Sequence, residues 1–270
     1  MKLWYQSMTR QAEWGTYPQV LRGILDRVKD PDTEIHVAGI TEIGGVGDQF
    51  RYLEYLETGE VLKNVHRAQR EGFDAFLIGN IADPGLMEAR EIADIPVLGL
   101  CESAMHMACM MGASFSFVTI NEKFTPRIVE NVRRYGLTGR FAGANRMSVD
   151  RLTDLAAAFA PGAAQDAVVA QFNDAARKCT DAGAEVVIAA GGVVMALLAD
   201  AGIHQTPEGA IILNGITNIV KLGETAVKMH RLMGGRFTSK TCTFAPPPPD
   251  QIGTFRKHYH DWIYPTVKAP

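Results

Sequence analysis

The chain has 270 residues, 47% of them hydrophobic and 21% charged, and a formal net charge of -3. Such a length and apolar share suit one large or two modest domains with a sizeable core, while dispersed Lys and Arg leave no basic footprint for nucleic acid. No apolar run reaches the roughly 18 residues of a membrane span and no basic start leads into one, so a cytoplasmic protein without a membrane partner is expected.

Short runs rich in Val, Ile and Leu alternate with amphipathic stretches, a pattern that predicts parallel strands covered by helices. In chain order the strands are Lys2 to Gln6, Glu34 to Gly39, Ala75 to Ile78, Val97 to Leu100, Ser114 to Val118, Ala142 to Val149, Glu185 to Ala189 and Ala210 to Leu213. After the first strand, Thr16-Tyr17-Pro18 reads as a helix cap with proline in the first turn. Thr125-Pro126 repeats that signal before a helix over Arg127 to Tyr135, which Gly136 is placed to stop. The Gly-rich loop from Glu42 to Gln49 lacks a phosphate-binding spacing and reads as a flap that closes over a site.

Past Met233 the pattern changes to Gly234-Gly235, Pro246 to Pro249, and an aromatic tail with Phe255, His258, Tyr259, His260, Trp262 and Tyr264. Four prolines favour an extended segment, and the aromatic side chains after it need burial. The tail is therefore expected to be an arm packed on its own body or on a second subunit, and a homo-oligomer through this arm is the expectation. A role for His258 or His260 in a pocket is the alternative. Cys101, Cys109, Cys179 and Cys242 form no Cys/His ligand pattern, so no metal is expected, and Cys109 and Cys179 read as inert buried thiols.

In open α/β sheets ligands bind beyond the carboxyl ends of strands. The loops beginning at Tyr5, Ile40, Gly79, Cys101, Thr119, Ala190 and Asn214 should then converge on one site. Two of these regions share a pattern, Asp74 to Asn80 (DAFLIGN) and Glu185 to Gly191 (EVVIAAG), an acid, an apolar strand and small residues. The shared pattern hints at two similar halves.

Several separated segments occur in the order of one known family. They are Asp83 to Leu86 (DPGL), Ala89 to Ile92 (AREI), Ile95 to Gly112 (IPVLGLCESAMHMACMMG), Phe115 to Thr119 (FSFVT), Val129 to Leu137 (VENVRRYGL) and Asn214-Gly215. Together they resemble the aspartate/glutamate/hydantoin racemase superfamily, above all its hydantoin and allantoin racemase branch, over roughly residues 1 to 232. The resemblance implies an α/β fold of two similar lobes, each a parallel sheet flanked by helices, with the active site in the cleft between them and no cofactor. The lobes are expected to span 1–120 plus 215–233 and 121–214, with 234–270 as the arm.

The resemblance also implies two thiols on opposite faces of a substrate stereocentre, one removing the proton next to a carbonyl and the other returning it. Carried over, these positions fall on Asn80 and Gly191. An amide is no base near neutral pH and glycine has no side chain, so two-thiol racemisation is not expected. The loops still offer backbone donors at Ile81, Ala82, Gly192 and Val193 for an enolate oxygen.

Asp83 is the acid nearest Asn80 in sequence, and its other reading is a cap or turn before Pro84-Gly85. Cys101 and Glu102 open a helix whose dipole favours a thiolate, although the resembled family does not use this pair as its catalytic thiol. His106 falls four residues after Glu102, on the same helix face. Tyr5, Ser7 and Thr9 occupy the family's carboxylate-holding first loop, Thr119 its strand-end threonine, and Asn214 the loop before the last core helix. The expected function is a hydantoin-racemase-like enzyme acting on a small carboxylate or cyclic ureide through a stabilised enolate or oxyanion, as isomerase, decarboxylase or hydrolase. The alternatives are a conventional racemase that uses Cys101 and an inactive small-acid binding protein.

Overall fold

The apolar runs pair into two separate parallel sheets. In this computed structural model, which describes residues 1–149, 152–259 and 262–264, the first sheet joins β1 (Lys2–Gln6), β2 (Glu34–Ala38), β3 (Ala75–Ile78) and β4 (Val97–Gly99) in the order β2-β1-β3-β4. The second joins β5 (Phe115–Thr119), β6 (Phe141–Arg146), β7 (Val186–Ala190) and β8 (Ile211–Leu213) in the order β6-β5-β7-β8. Counted from its own first strand, each sheet runs 2-1-3-4, so the similarity of the two strand-end sequences extends to topology.

Every residue of β3, β5 and β7 is buried, as expected when helices cover both faces of a parallel sheet. The covering helices of the first half are α1 (Tyr17–Val28), α2 (Arg51–Arg70), α3 (Leu86–Ile92) and α4 (Leu100–Met111). Those that follow are α5 (Phe124–Arg134), α6 (Ala163–Asp181), α7 (Gly192–Asp200) and α8 (Gly215–Leu232). Although α8 comes after the second sheet, it packs back on α1, α4 and β3.

Five strands end at a different residue from the sequence reading, four of them by one residue and the sixth strand by three. Leu100 leaves the fourth strand to open α4, and the sixth stops at Arg146, after which Met147 and Val149 donate their N–H groups to Thr119 O and Ile120 O. The caps also differ. Thr16 holds the N-cap position of α1 without a side-chain cap bond, and α5 begins at Phe124, capped by Asn121 Oδ1, which accepts from Lys123 N and Phe124 N. Gly136 ends that helix region at a positive φ of 73°.

The proline run is extended only as far as Pro248, because Pro249 takes the first position of α9 (Pro249–His258), where its missing N–H costs no helix bond. The tail rests on its own body. Lys240 Nζ donates to Arg90 O and Glu91 O, Tyr264 Oη donates to Glu91 Oε1 at 2.6 Å, Trp262 meets His66 edge-on, and Ile252 is fully buried. His258 is exposed near the end of α9; His260 lies outside the described residues.

Candidate active site

The carboxyl ends of β1, β3, β5 and β7 face one narrow cavity of about 30 Å³. Ser7, Met8 and Thr9 line it from the first loop, Gly79, Asn80 and Ile81 from the third, and Gly191, Gly192, Val193 and Val194 from the seventh. Trp14, Tyr17, Asp48, Ile120, Phe124 and Leu155 complete it.

The wall after β3 is built from side chains. A Cβ on Gly79 would stand 2.3 Å from Tyr5 Cε1 and Cζ, so glycine lets the backbone lie directly on that ring. Tyr5 is therefore fully buried behind the wall, its Oη without a partner, and is not among the lining residues. Asn80 Nδ2 donates to Asp48 Oδ2 at 2.6 Å while its Oδ1 accepts from Ala82 N at 2.8 Å. The Ala82 N–H is thereby consumed within the loop, and Ile81 is the residue of that pair that reaches the cavity.

Asp83 is buried at a positive φ of 52° and turns away from the cavity. Its carboxylate accepts from Cys101 N and Glu102 N, both at 2.9 Å, and from Tyr135 Oη at 2.8 Å. It thus caps α4, a helix distant in sequence, in place of the adjacent α3. Burial pushes its pKa up to about 7, against the pull of those three donors. Cys101 is fully buried beside it, with burial and the Asp83 charge driving the thiol well up, and it lies outside the cavity lining. Glu102 makes a two-pronged ion pair with Arg90, and His106 Nδ1 meets Glu102 O within the helix at 2.8 Å.

The wall after β7 is built from backbone. Gly191 is extended, Gly192 opens α7, and no side chain caps the helix. The first-turn N–H groups of a helix have no partner within it and carry the positive end of its dipole; here they belong to cavity-lining residues. A Cβ on Gly192 would stand 3.2 Å from the Tyr17 hydroxyl oxygen, so that phenol lies beside the helix start. Burial, then the Asp48 charge, raises the Tyr17 pKa, which keeps the phenol protonated as a donor.

The Gly-rich loop carries Asp48 into the cavity, and it is anchored where a loose flap was expected. Glu54, Glu57 and Glu60 occur three residues apart on α2, one helix face, and all are buried. Glu60 accepts from Thr41 N, Thr41 Oγ1 and Glu42 N, and Glu57 Oε1 accepts from Gly45 N at 2.8 Å. Glu54 pairs with Arg127 of α5, Arg10 Nε donates to Gly44 O, and Trp14 Nε1 donates to Gly45 O. Burial raises the Asp48 pKa, with the Asn80 amide opposing it.

Of the remaining sequence candidates, Ser7 lines the cavity and shares a 2.8 Å hydrogen bond with Thr9. Thr119 is fully buried and bonded to Thr125 Oγ1 at 2.6 Å. Asn214 is the N-cap of α8, its Oδ1 accepting from Ile216 N and Thr217 N while its Nδ2 donates to Met195 O. Neither lines the cavity. Asp48 and Tyr17 do, and sequence reasoning gave neither a role in the chemistry. The one available signal was an acid at the end of a Gly-rich strand-end loop.

The family profile described as Asp/Glu/Hydantoin racemase matches residues 17–214. The chain is 30% identical over 216 residues to a hydantoin racemase of Pseudomonas sp. (strain NS671), covering 80% of this chain and 81% of that protein. Among solved structures it resembles an allantoin racemase from Klebsiella pneumoniae, with TM-score 0.74 and 22% identity over 92% of this chain and 94% of that one. An allantoin racemase from Pseudomonas fluorescens follows, with TM-score 0.70 and 24% identity over 92% and 98% of the two chains.

Proposed function

We propose, from the premise that this chain belongs to the Asp/Glu/hydantoin racemase family, that it acts on a small cyclic ureide or carboxylate at the carbon next to a carbonyl, without two-thiol chemistry. The observation that carries this reading is the cavity lining, which holds Asn80 and Gly191 and none of the four cysteines. An enolate formed there places negative charge on the former carbonyl oxygen. First-turn N–H groups of α7 and the Tyr17 hydroxyl are donors on one wall, and preorganised donors of this kind lower the barrier most where charge develops. Isomerisation, decarboxylation and ring hydrolysis all develop such an oxyanion. Proton exchange at the reacting carbon is the step the site is best equipped for, since it needs one base and one set of donors.

The test is proton exchange at the reacting carbon of 5-methylhydantoin and allantoin, and decarboxylation of phenylmalonate, by the wild type and by Cys101→Ser. Equal turnover of at least one probe by both proteins is the expected result. Loss of turnover in Cys101→Ser would contradict the reading and favour a conventional racemase that uses that thiol.

A further inference from the structure

We propose that Asp48 is the base that removes and returns the substrate proton, with the Tyr17 hydroxyl hydrogen-bonding the enolate oxygen. This inference rests on the reading above and names the groups that carry it out. The buried carboxylates of the neighbouring elements have other duties. Asp83 caps α4 with both oxygens, Glu54 is paired with Arg127, and Glu57 holds Gly45 N. Among the described residues, Asp48 is the carboxylate that lines the cavity. Ser7 and Thr9 bond each other, with no base beside them to activate either hydroxyl.

The surroundings of Asp48 suit a base. The Asn80 amide donates to one of its oxygens, Oδ2, and the backbone N–H groups of Asp48 and Gln49 also stabilise the carboxylate; among the described residues no side chain donates to Oδ1, the oxygen that would take a substrate proton. Burial outweighs these donors and raises its proton affinity, bringing it nearer that of a carbon acid. The buried Glu57 and Glu60 tie down the loop on which Asp48 stands, so they act as positioning residues. Tyr17 stands at the start of α7, where the enolate oxygen would meet the first-turn N–H groups.

The step balances without any co-reactant. Oδ1 takes the proton from the carbon next to the carbonyl, and the C–H pair becomes the carbon–carbon π bond. The carbonyl π pair moves to oxygen, where Tyr17 O–H and the α7 N–H groups hold it. Reversal returns a proton from the Asp48 carboxyl to the same face of the same carbon. When that carboxyl has exchanged with solvent in heavy water, a deuteron is delivered instead.

The experiment follows loss of the C5 proton signal of 5-methylhydantoin in heavy water by NMR. The proteins are the wild type, Asp48→Asn, Asp48→Ala with and without added formate, and Tyr17→Phe. We expect Asp48→Asn to exchange at least about 100-fold more slowly, in keeping with removal of a general base, and Tyr17→Phe about 10-fold more slowly. Formate, a free carboxylate that fits the space left by the side chain, should restore exchange to Asp48→Ala, an effect that a merely structural role for Asp48 would not produce. That arm also carries the test if Asp48→Asn fails to fold. Wild-type exchange with an equally fast, folded Asp48→Asn would overturn the assignment of Asp48 and leave the function standing. A wild type that exchanges neither 5-methylhydantoin nor allantoin would overturn the assignment of Asp48, and one that also leaves phenylmalonate unchanged would overturn the function as well.

Discussion

The two loops that follow β3 and β7 occupy equivalent places in sheets of the same strand order, yet they are built from different materials. On the β3 side the wall consists of side chains buttressed from behind, with Tyr5 under Gly79, Asn80 bonded to Asp48, and Asp83 fastened to the start of α4. On the β7 side it consists of backbone, Gly191 and Gly192 leading into an uncapped helix, with apolar Ile120 and Val193 around them. Where duplicated halves carry equivalent groups, a substrate meets acid and base on both faces. Here one wall offers a carboxylate and the other offers donors, so the site is equipped for proton chemistry on a single face.

Substitutions can break this contrast in a graded way. Gly79→Ala should have the largest effect, because its Cβ would stand 2.3 Å from two atoms of a buried ring; overpacking of this kind costs up to about 3 kcal/mol, visible as a large fall in thermal midpoint. Asp83→Ala comes next. It leaves two backbone N–H groups and the Tyr135 hydroxyl without their acceptor, at about 2 kcal/mol or more, while the activity of the molecules that remain folded should be unchanged. Gly191→Ala should cost about 1 kcal/mol, the low end of overpacking, since its backbone is already extended and its Cβ would meet only the Ile120 side chain, at 2.9 Å. If Gly191→Ala proved as damaging as Gly79→Ala, the view of the β7 wall as an open backbone surface would fail.

A smaller effect concerns the loop that joins the walls. Burial holds the Glu57 pKa at about 7, above its usual 4.5. Between those values the folded protein keeps a proton that the unfolded chain has lost, so this group's contribution to stability falls as pH rises through the window. Asp83, also raised to about 7, adds a slope of the same sign, and His66, lowered to about 4 by burial, adds one of opposite sign below its usual value. Glu57→Gln removes the first contribution alone. The difference between denaturation midpoints at about pH 5 and about pH 8 should therefore shrink in Glu57→Gln, and an unchanged difference would show that Glu57 titrates normally.

Much of the fold is legible in the sequence because strands buried on both faces must be apolar throughout, as Ala75 to Ile78 and Val186 to Ala190 are. The same reasoning locates the loops of the cavity, and Ser7, Asn80, Ile81, Gly191, Gly192 and Val193 do line it. It does not give side-chain direction. Thr119 and Asn214 stand at strand ends, but one hydroxyl is taken by Thr125 and the other side chain by the first turn of α8. Asp48 escaped because the loop that carries it is tied down by Glu57 and Glu60 of another element, a tertiary arrangement that no local pattern records. Asp83 reads as a local turn residue and is in fact a cap delivered across the chain, because the DPG turn aims its carboxylate at α4 and away from α3.

One measurement tests the single-face account most directly. A single enantiomer of 5-methylhydantoin is incubated with the protein in heavy water, and deuterium at C5 and optical purity are followed in the same sample. The account predicts that deuterium enters faster than in the protein-free control while the enantiomer keeps its configuration. Deuterium entry accompanied by racemisation at a comparable enzyme-dependent rate would contradict it, because a proton would then have to reach the opposite face from the β7 wall.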